Sequence, residues 1–259
     1  MISAIASKAY QILRSRRVSR APPSFPEKIQ ESLDATTWHA HQPLEIYLLW
    51  GGSKESPSRR ADEADREALE RLSCLTREIN GLLEPADGSL ETRILFCDWH
   101  HRVANGKDAD AIRAYGEDVR HLAVSSGLFF VYLSDFYTPG VSCKVSLASA
   151  LNSIGDPAIR AKTDALFLQE GFRKIAEEAA IKHSDLVKRG ASAELAARIY
   201  VQMELDFLSQ LRRAERVFAS FSDPSLQRPI AEAVPVPMLY LHSFGPGHHE
   251  CPWYTTKHA

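Results

Sequence analysis

The chain has 259 residues, 44% of them hydrophobic and 25% charged, which is ordinary for a globular protein and enough for one large α/β domain. Its formal net charge of −2 excludes an overall attraction to nucleic acid, so contact with RNA would require a local basic face. The four cysteines include no Cys-x-x-Cys pair, which favours reduced thiols in the cytoplasm over a disulfide framework. The apolar start of the chain is too short and interrupted to span a membrane, and no membrane partner is expected.

Residues 1–36 are predicted to form a short helix and then a basic, proline-rich arm. The arginines of this arm suit either contact with phosphate or a solvated surface. Residues 37–259 are predicted to form a single catalytic domain. The arginines of the arm are Arg14, Arg16, Arg17 and Arg20.

The most informative stretch is LEIYLLWGGSKES, which begins at Leu44. Its apolar run predicts a strand at residues 44–50 that is buried on both faces, as in a parallel sheet. Gly51 and Gly52 then allow a tight turn with close backbone approach, because neither has a Cβ atom. The hydroxyl of Ser53 would stand at the carboxyl end of the strand, where open α/β sheets bind ligands. An ordinary strand-to-helix turn is the alternative interpretation of Gly-Gly-Ser.

Beyond this stretch, strand-like runs alternate with helical patterns. The alternation predicts right-handed crossovers and a Rossmann-like parallel sheet flanked by helices. An irregular region is expected at residues 138–157, and a proline-marked loop is expected before the last strand. The further strands are predicted at residues 93–97, 128–133 and 238–241, and the helices at 61–83, 108–123, 158–188 and 192–222.

Each predicted strand ends in polar side chains, and the ends of parallel strands share one edge of the sheet. We therefore expect Ser53, Asp98, Asp135 and His242 to lie on one edge and to converge in one crevice. The ligand types for zinc are present, but their spacing matches no known zinc site, so a mixture of core and crevice histidines is the alternative and no metal is predicted. The histidines and cysteine concerned are His100, His101, His248, His249 and Cys251.

The predicted helix from Ser192 carries a carboxylate within its apolar stripe. Glu204 lies one turn from Tyr200, so the two side chains are neighbours on the same face. A carboxylate that faces a core is costly unless it is paired or useful, so catalysis and a structural contact both stay open. The opposite face is predicted to carry arginines that either bind phosphate or are solvated. These are Arg198, Arg212 and Arg216, with Arg213 at the edge.

The order of a strand, Gly51-Gly52-Ser53, a helix and later Tyr200-Val-Gln-Met-Glu204 resembles the tRNA-dependent cyclodipeptide synthases. Their fold is similar to the catalytic domain of class I tyrosyl- and tryptophanyl-tRNA synthetases. The stretch ILFCDWHHRVANGK looks like the Ala-Asp-x-His-Ala…Asn segment of those synthetases. The letters KES follow the serine where the family usually has Pro and Asn, which suits a divergent branch such as the arginine-containing synthases of fungi.

This resemblance implies that the enzyme joins the aminoacyl groups of two aminoacyl-tRNAs into a cyclic dipeptide, a diketopiperazine. Ser53, with Ser56 as the alternative nucleophile, would hold the first aminoacyl group as an ester. Glu204, oriented by Tyr200, would accept the proton of the second amine. The tRNA ester is already activated, so no ATP and no other cofactor is expected. Acidic groups in the crevice favour a cationic residue and make arginyl-tRNA one candidate donor.

The resemblance also implies two sets of binding residues. The substrate-binding set is Gly51, Gly52, Lys54, Asp98, His100, Asp135, Tyr240 and His242. The tRNA-binding set is Arg198, Arg212, Arg213 and Arg216.

Two alternatives belong to other classes. The letters WGGSKESP, followed by a helix that starts near Asp62, are similar to the Lys-Ser-Pro region of the isocyanide synthases, which act on a free amino acid and a sugar phosphate. A non-catalytic RNA-binding relative is the other alternative, and it would require a strongly basic stripe that the net charge does not favour.

Overall fold

The computed structural model describes residues 2–38, 43–51, 60–137, 156–212 and 216–242. Six strands form one sheet: β1 (Ser19–Ser24), β2 (Leu44–Gly51), β3 (Leu90–Cys97), β4 (Phe129–Tyr132), β5 (Arg216–Ser220) and β6 (Met238–Leu241). Their order across the sheet is β1-β6-β5-β2-β3-β4. The strands from β2 to β6 pair in parallel, whereas β1 is antiparallel to β6. The Rossmann-like α/β prediction is therefore confirmed, and the expectation of an all-parallel sheet is wrong at β1.

Helices cover both faces of this sheet. Those of the first half are α1 (Ile2–Arg14), α2 (Pro26–Trp38), α3 (Glu63–Leu83), α4 (Asp98–Val103), α5 (Ala109–Ser125) and α6 (Ser134–Tyr137), with a short 3-10 turn at Glu84–Ala86. Those of the second half are α7 (Pro157–Phe167), α8 (Glu170–His183), α9 (Asp185–Lys188), α10 (Ala193–Leu211) and α11 (Pro224–Ala233). No helix within the described ranges is long and apolar enough to cross a membrane.

The apolar run of β2 supplies both halves of the core. Successive side chains of a strand point to opposite faces. Tyr47 and Leu49 therefore pack with α7, α8, α10 and α11, while Leu48 and Trp50 pack with α1, α2, α3 and α5. A strand buried on both faces has to be apolar at nearly every position, which is the pattern that predicted it.

The predicted basic arm is part of the sheet. Ser19 pairs with Leu241 and Ser24 with Met238, so β1 forms the edge next to β6. Pro22 lies in this strand, and proline is tolerated at an edge because a missing N–H breaks no ladder there. The N-terminal helix α1 shares the core beneath β2.

The second half of the chain corrects two further expectations. The helix predicted at residues 192–222 ends at Leu211, and the segment from Arg216 is the strand β5. The proline-marked loop contains a helix, α11, whose N-terminus is capped by the Asp223 side chain with Pro224 in the first turn. Proline fits there because the first N–H groups of a helix have no intrahelical partner.

Candidate active site at the carboxyl edge of the sheet

The chain changes direction across the sheet next to β2. From β2 it proceeds to β3 and β4 on one side, whereas β5 and β6 lie on the other side. A crevice outside the carboxyl ends of strands at such a reversal is the usual ligand site of open α/β sheets. Gly51, the last residue of β2, pairs there with Cys97, the last residue of β3. Four residues assigned to this turn from the sequence lie outside the described ranges: Gly52, Ser53, Lys54 and Ser56.

A buried histidine–glutamate pair lies beside the end of β3. His100 follows β3 on α4, and its Nδ1 atom is 2.9 Å from Oε2 of Glu204 on α10. The two side chains are 1% and 2% exposed. The expectation that Glu204 faces the core is confirmed, and its partner is a histidine distant in sequence. The pair joins α4 to α10.

Tyr200 lies against the same histidine. Its ring contacts that of His100 edge-on, with the centroids 5.9 Å apart. The Gln227 side-chain amide of α11 donates a hydrogen bond of 3.1 Å to the Tyr200 hydroxyl. Burial, and then the nearby carboxylate of Glu204, hold the pKa of Tyr200 well above its usual value. Tyr200 is therefore a neutral phenol that can donate, rather than a phenolate.

Three atoms of this cluster have no hydrogen-bond partner among the residues that the structure describes. They are Nε2 of His100, Oε1 of Gln227 and Oε2 of Glu204, and the three residues are each 1% exposed. The Glu204 atom faces His100 Nδ1 at ion-pair distance without hydrogen-bond geometry. Most buried polar atoms in proteins are hydrogen-bonded, and an unpaired one costs about 1–3 kcal/mol. A small polar ligand beside one of these atoms would gain a hydrogen bond.

Two side chains near the end of β2 are neutral at physiological pH. Burial, followed by the charges of Glu204 and Asp98, raises the pKa of the Cys97 thiol well above its usual value. Burial, with His100 as the next cause, lowers the pKa of His101 to about 3. The His101 Nε2 atom lies 3.7 Å from where a Cβ on Gly51 would stand. Cys97 is thus a thiol rather than a thiolate nucleophile, and His101 is an uncharged imidazole next to the turn after β2.

An open pocket, separate from the buried cluster around His100, lies over the ends of β3 and β4 and has a volume of about 330 Å³. Asp98 begins α4 at its rim, and the carboxylate accepts a hydrogen bond of 3.1 Å from the Ser134 backbone N–H. Burial raises the pKa of Asp98, although the hydrogen bonds from Ser134 oppose that rise. The charged residues that line the pocket are Asp98, Arg102, Arg113, Glu117 and Asp135, and Trp99, Ile112 and Tyr132 supply apolar surface.

The structure thus brings Asp98 and Asp135 together, as expected, while His100 turns into the core. His242 follows β6 at the same edge of the sheet, four strand spacings from β4, or roughly 19 Å at 4.8 Å per spacing. It cannot share one small ligand with Asp135. Tyr240 is fully buried, and its hydroxyl lies 2.7 Å from that of Ser24, so it is a core residue rather than part of a crevice wall.

Arg198 and Arg216, two of the arginines assigned to tRNA, do not share a face. Arg198 on α10 pairs with Glu194 and Asp164. Arg216 begins β5 and pairs with Glu45 near the start of β2, at the amino edge of the sheet. Arg212 follows the end of α10, and Arg213 lies outside the described ranges. The shared helical face required a helix through residue 216, and that helix ends at Leu211.

Metal binding gains no geometric support within the described ranges, where no group of three or more histidine, cysteine or acidic side chains is arranged to hold an ion. His248, His249 and Cys251 lie outside those ranges.

Several residues of the two sites were not singled out from the sequence, among them Gln227, Arg102, Arg113 and Glu117. Gln227 lies in α11, which was interpreted as a loop, so no pattern pointed to it. Arg102 carried a usable signal, because it follows Asp98 by four residues and therefore lies on the same side of a helix, whereas no pattern pointed to Arg113 on α5.

Comparison with known proteins adds a fold neighbour. No known protein family matches the chain, and no curated protein matches its sequence. The crystal structure of the PvcA protein from Pseudomonas aeruginosa is similar, with a TM-score of 0.61 and 15% sequence identity over 94% of this chain and 84% of that chain. At this identity the likeness establishes the fold, an α/β arrangement with a mixed six-stranded sheet.

Proposed function

We propose that this protein is an enzyme of the isocyanide synthase type, which acts on a free amino acid and a sugar phosphate. The observation that carries the proposal is the open pocket at the carboxyl edge, which presents acidic and basic side chains to a volume of about 330 Å³. A free amino acid carries an ammonium and a carboxylate on one carbon atom, and it needs both signs of charge within a few ångströms. The likeness to PvcA concerns the fold, which is the Rossmann-like fold that the isocyanide synthases are expected to have.

Within the pocket, we assign the carboxylates of Asp98 and Asp135 to the ammonium group of the amino acid. The guanidinium groups of Arg102 and Arg113 would bind its carboxylate, for which the planar fork of arginine is well suited. An aminoacyl-tRNA lacks a free carboxylate, because that group is esterified to the tRNA. The two arginines in the pocket therefore favour a free amino acid.

The amine must lose a proton before it can attack the carbonyl carbon of the sugar phosphate. Asp98 is the candidate base, because burial raises its pKa and makes it a better proton acceptor. Attack forms a C–N bond, and loss of water from the adduct gives an imine. The Ser134 N–H holds the Asp98 carboxylate in place, and the His100–Glu204 pair fixes the helix that carries it.

Cyclodipeptide synthesis is the second candidate function. It is favoured by Tyr200 and Glu204, which meet on one face of α10 next to the carboxyl end of β3, as the family resemblance implied. Against it, Glu204 is 1% exposed and paired with His100, so this carboxylate would have to leave its partner to act as a base. The pairing of Arg198 and Arg216 with acidic residues of this chain also weakens the proposed tRNA face.

The test is product analysis by mass spectrometry. The protein is incubated with free amino acids and a five-carbon ketose phosphate, and in parallel with a mixture of aminoacyl-tRNAs. We expect an isonitrile in the first reaction, and we expect Asp98→Asn to lower its formation about 100-fold or more, as for loss of a general base. Arg66→Gln is the matched control, because Arg66 pairs with Glu63 and Glu70 on the exposed side of α3. A cyclic dipeptide from the second reaction alone would overturn the proposal in favour of the second candidate.

A further inference from the structure

A groove lies beside β1, at one lateral edge of the sheet, whereas the amino-acid pocket lies near β4, at the other lateral edge. Its volume is about 760 Å³. One wall comes from the end of α1 and the segment that follows it, and another from β1 and the start of α2. The lining residues used below are Tyr10, Arg14, Arg16, Arg20, Pro26 and His242.

Positive charge gathers at one end of this groove. Arg14, Arg16 and Arg20 all line it, and none of them pairs with a carboxylate within the described part of the chain. The neighbouring Arg17 differs, because its guanidinium pairs with Glu78 at 2.7 Å and does not line the groove. Like charges that share a concave surface without an acidic partner repel one another, so an anion bound there would be stabilised.

The arginines of the groove are held by contacts that leave hydrogen-bond donors available. The Arg14 guanidinium lies over the Tyr10 ring, 5.7 Å from its centroid. One nitrogen of Arg20 donates to the Phe221 carbonyl at 3.3 Å, which uses one of its five N–H groups. The His242 ring bonds the Arg16 backbone carbonyl through Nε2 at 3.0 Å, which fixes the main chain at Arg16.

We infer that the charged end of this groove is a binding site for the phosphate group of a small phosphomonoester. A phosphate dianion offers three acceptor oxygens and a charge near −2, which matches several converging guanidinium groups better than a single carboxylate does. The start of α2 at Pro26 lies in the other part of the groove and is not part of this site. Glu27, in the first turn of α2, acts electrostatically on Tyr10.

The site is separate from the amino-acid pocket. The strand β1 stands five strand spacings from β4, but the Arg20 guanidinium reaches the Phe221 carbonyl just after β5. Counted from β5, the separation is three strand spacings, or roughly 14 Å at 4.8 Å per spacing. A single five-carbon sugar phosphate cannot span that distance. The inference concerns binding alone, so it does not rest on the proposed function and can fail independently of it.

The shape of the charge distribution favours a small phosphate ester over RNA. An RNA strand needs positive charge along its track, because each phosphate neutralised adds to affinity. The rest of this groove, towards Pro22, Pro23 and Pro26, is uncharged. One phosphate at the arginine end satisfies the charges that are present.

The test is calorimetric titration of the full-length protein with ribose 5-phosphate, inorganic phosphate and unphosphorylated ribose. We expect the two phosphates to bind and ribose not to bind. Arg16→Gln should weaken ribose 5-phosphate binding about tenfold, as for the loss of a hydrogen bond to a charged group. Arg17→Gln should leave the affinity within about twofold, and Arg20→Gln should repeat the loss seen with Arg16→Gln.

Four outcomes would overturn the inference. One is equal binding of ribose and ribose 5-phosphate, and another is an equal loss in the Arg16 and Arg17 variants. The third is phosphate binding that survives Arg16→Gln and Arg20→Gln but is lost in Arg113→Gln, which would place the phosphate in the amino-acid pocket. A titration with tRNA completes the set, because tRNA binding that is lost in Arg16→Gln without any binding of ribose 5-phosphate would identify the groove as an RNA site. Thermal unfolding of each variant checks that the protein has folded.

Discussion

The open pocket and the buried His100–Glu204 pair are built from the same short helix, α4, yet they differ in what they leave accessible. Asp98 begins this helix and lines a pocket that a small molecule can enter, whereas His100, two residues later, is 1% exposed and faces α10. Two groups of polar side chains at one edge of the sheet therefore differ in accessibility. Charged side chains around the pocket are available to a ligand, while the buried His100–Glu204 contact joins α10 to the helix that carries Asp98.

The largest expected loss of stability comes from substitution of Glu204. Glu204→Ala leaves His100 buried without its partner, and removal of one member of a buried pair typically costs about 3–5 kcal/mol. We expect a loss of this size in the free energy of unfolding, measured by urea denaturation. The matched control is Glu70→Ala, which breaks an exposed pair with Arg66 and should cost less than about 1 kcal/mol. Equal losses in the two variants would mean that the buried pair does not hold α4.

The second prediction uses the pKa of His101, which is lowered from 6.5 to about 3. The unfolded chain binds a proton below pH 6.5 that the folded chain does not bind until pH falls to about 3, so stability should fall as the pH decreases through this window. The contribution is at most about 1.4 kcal/mol per pH unit. His101→Gln removes the titrating group.

Urea denaturation between pH 7 and pH 4.5 measures this effect. The loss of stability on acidification should be smaller in His101→Gln than in the unsubstituted protein. Arg66→Gln serves as the control, because it replaces an exposed residue on α3 that does not titrate in this range, and its pH dependence should match that of the unsubstituted protein. Parallel curves for His101→Gln and the unsubstituted protein would contradict the assignment of a neutral, desolvated imidazole next to Gly51.

The smallest expected effect concerns Tyr200 and Gln227. Tyr200→Phe removes the acceptor of the Gln227 side-chain N–H, which is left buried, at a cost of about 1–2 kcal/mol. The double variant with Gln227→Met removes both polar groups and should recover part of that loss, because no unpaired donor remains. Thermal unfolding of the single and double variants measures the difference. Additive losses would show that the two side chains are not coupled.

The sequence allowed the strands to be predicted where burial on both faces forced an apolar run, as in β2, β3 and β6. It failed at β5, because Phe218 continues the spacing of the preceding helical stripe, and pairing with β2 decides the structure there instead. It also failed at α11, where Pro224 was interpreted as a loop signal although Asp223 and Pro224 together form a helix start.

The candidate site was predictable only in part. The grouping of Asp98 with Asp135 followed from parallel strands, whose ends share one edge. The partner of Glu204 could not be predicted, because His100 lies far away in sequence and meets it only through the packing of α4 on α10. The proposed nucleophile Ser53 lies outside the described residues, so its role stays a prediction.

The central claim is that the open pocket binds a free amino acid, while the buried His100–Glu204 pair positions the helix α4 that carries Asp98. Calorimetric titration of free amino acids into the unsubstituted protein, Asp98→Asn, Arg113→Gln and Glu204→Gln tests this claim most directly. We expect at least one amino acid to bind, both pocket variants to weaken that binding about tenfold or more, and Glu204→Gln to change it less. Binding that is unchanged in both pocket variants but lost in a folded Glu204→Gln protein would contradict the account and move the substrate to the buried cluster.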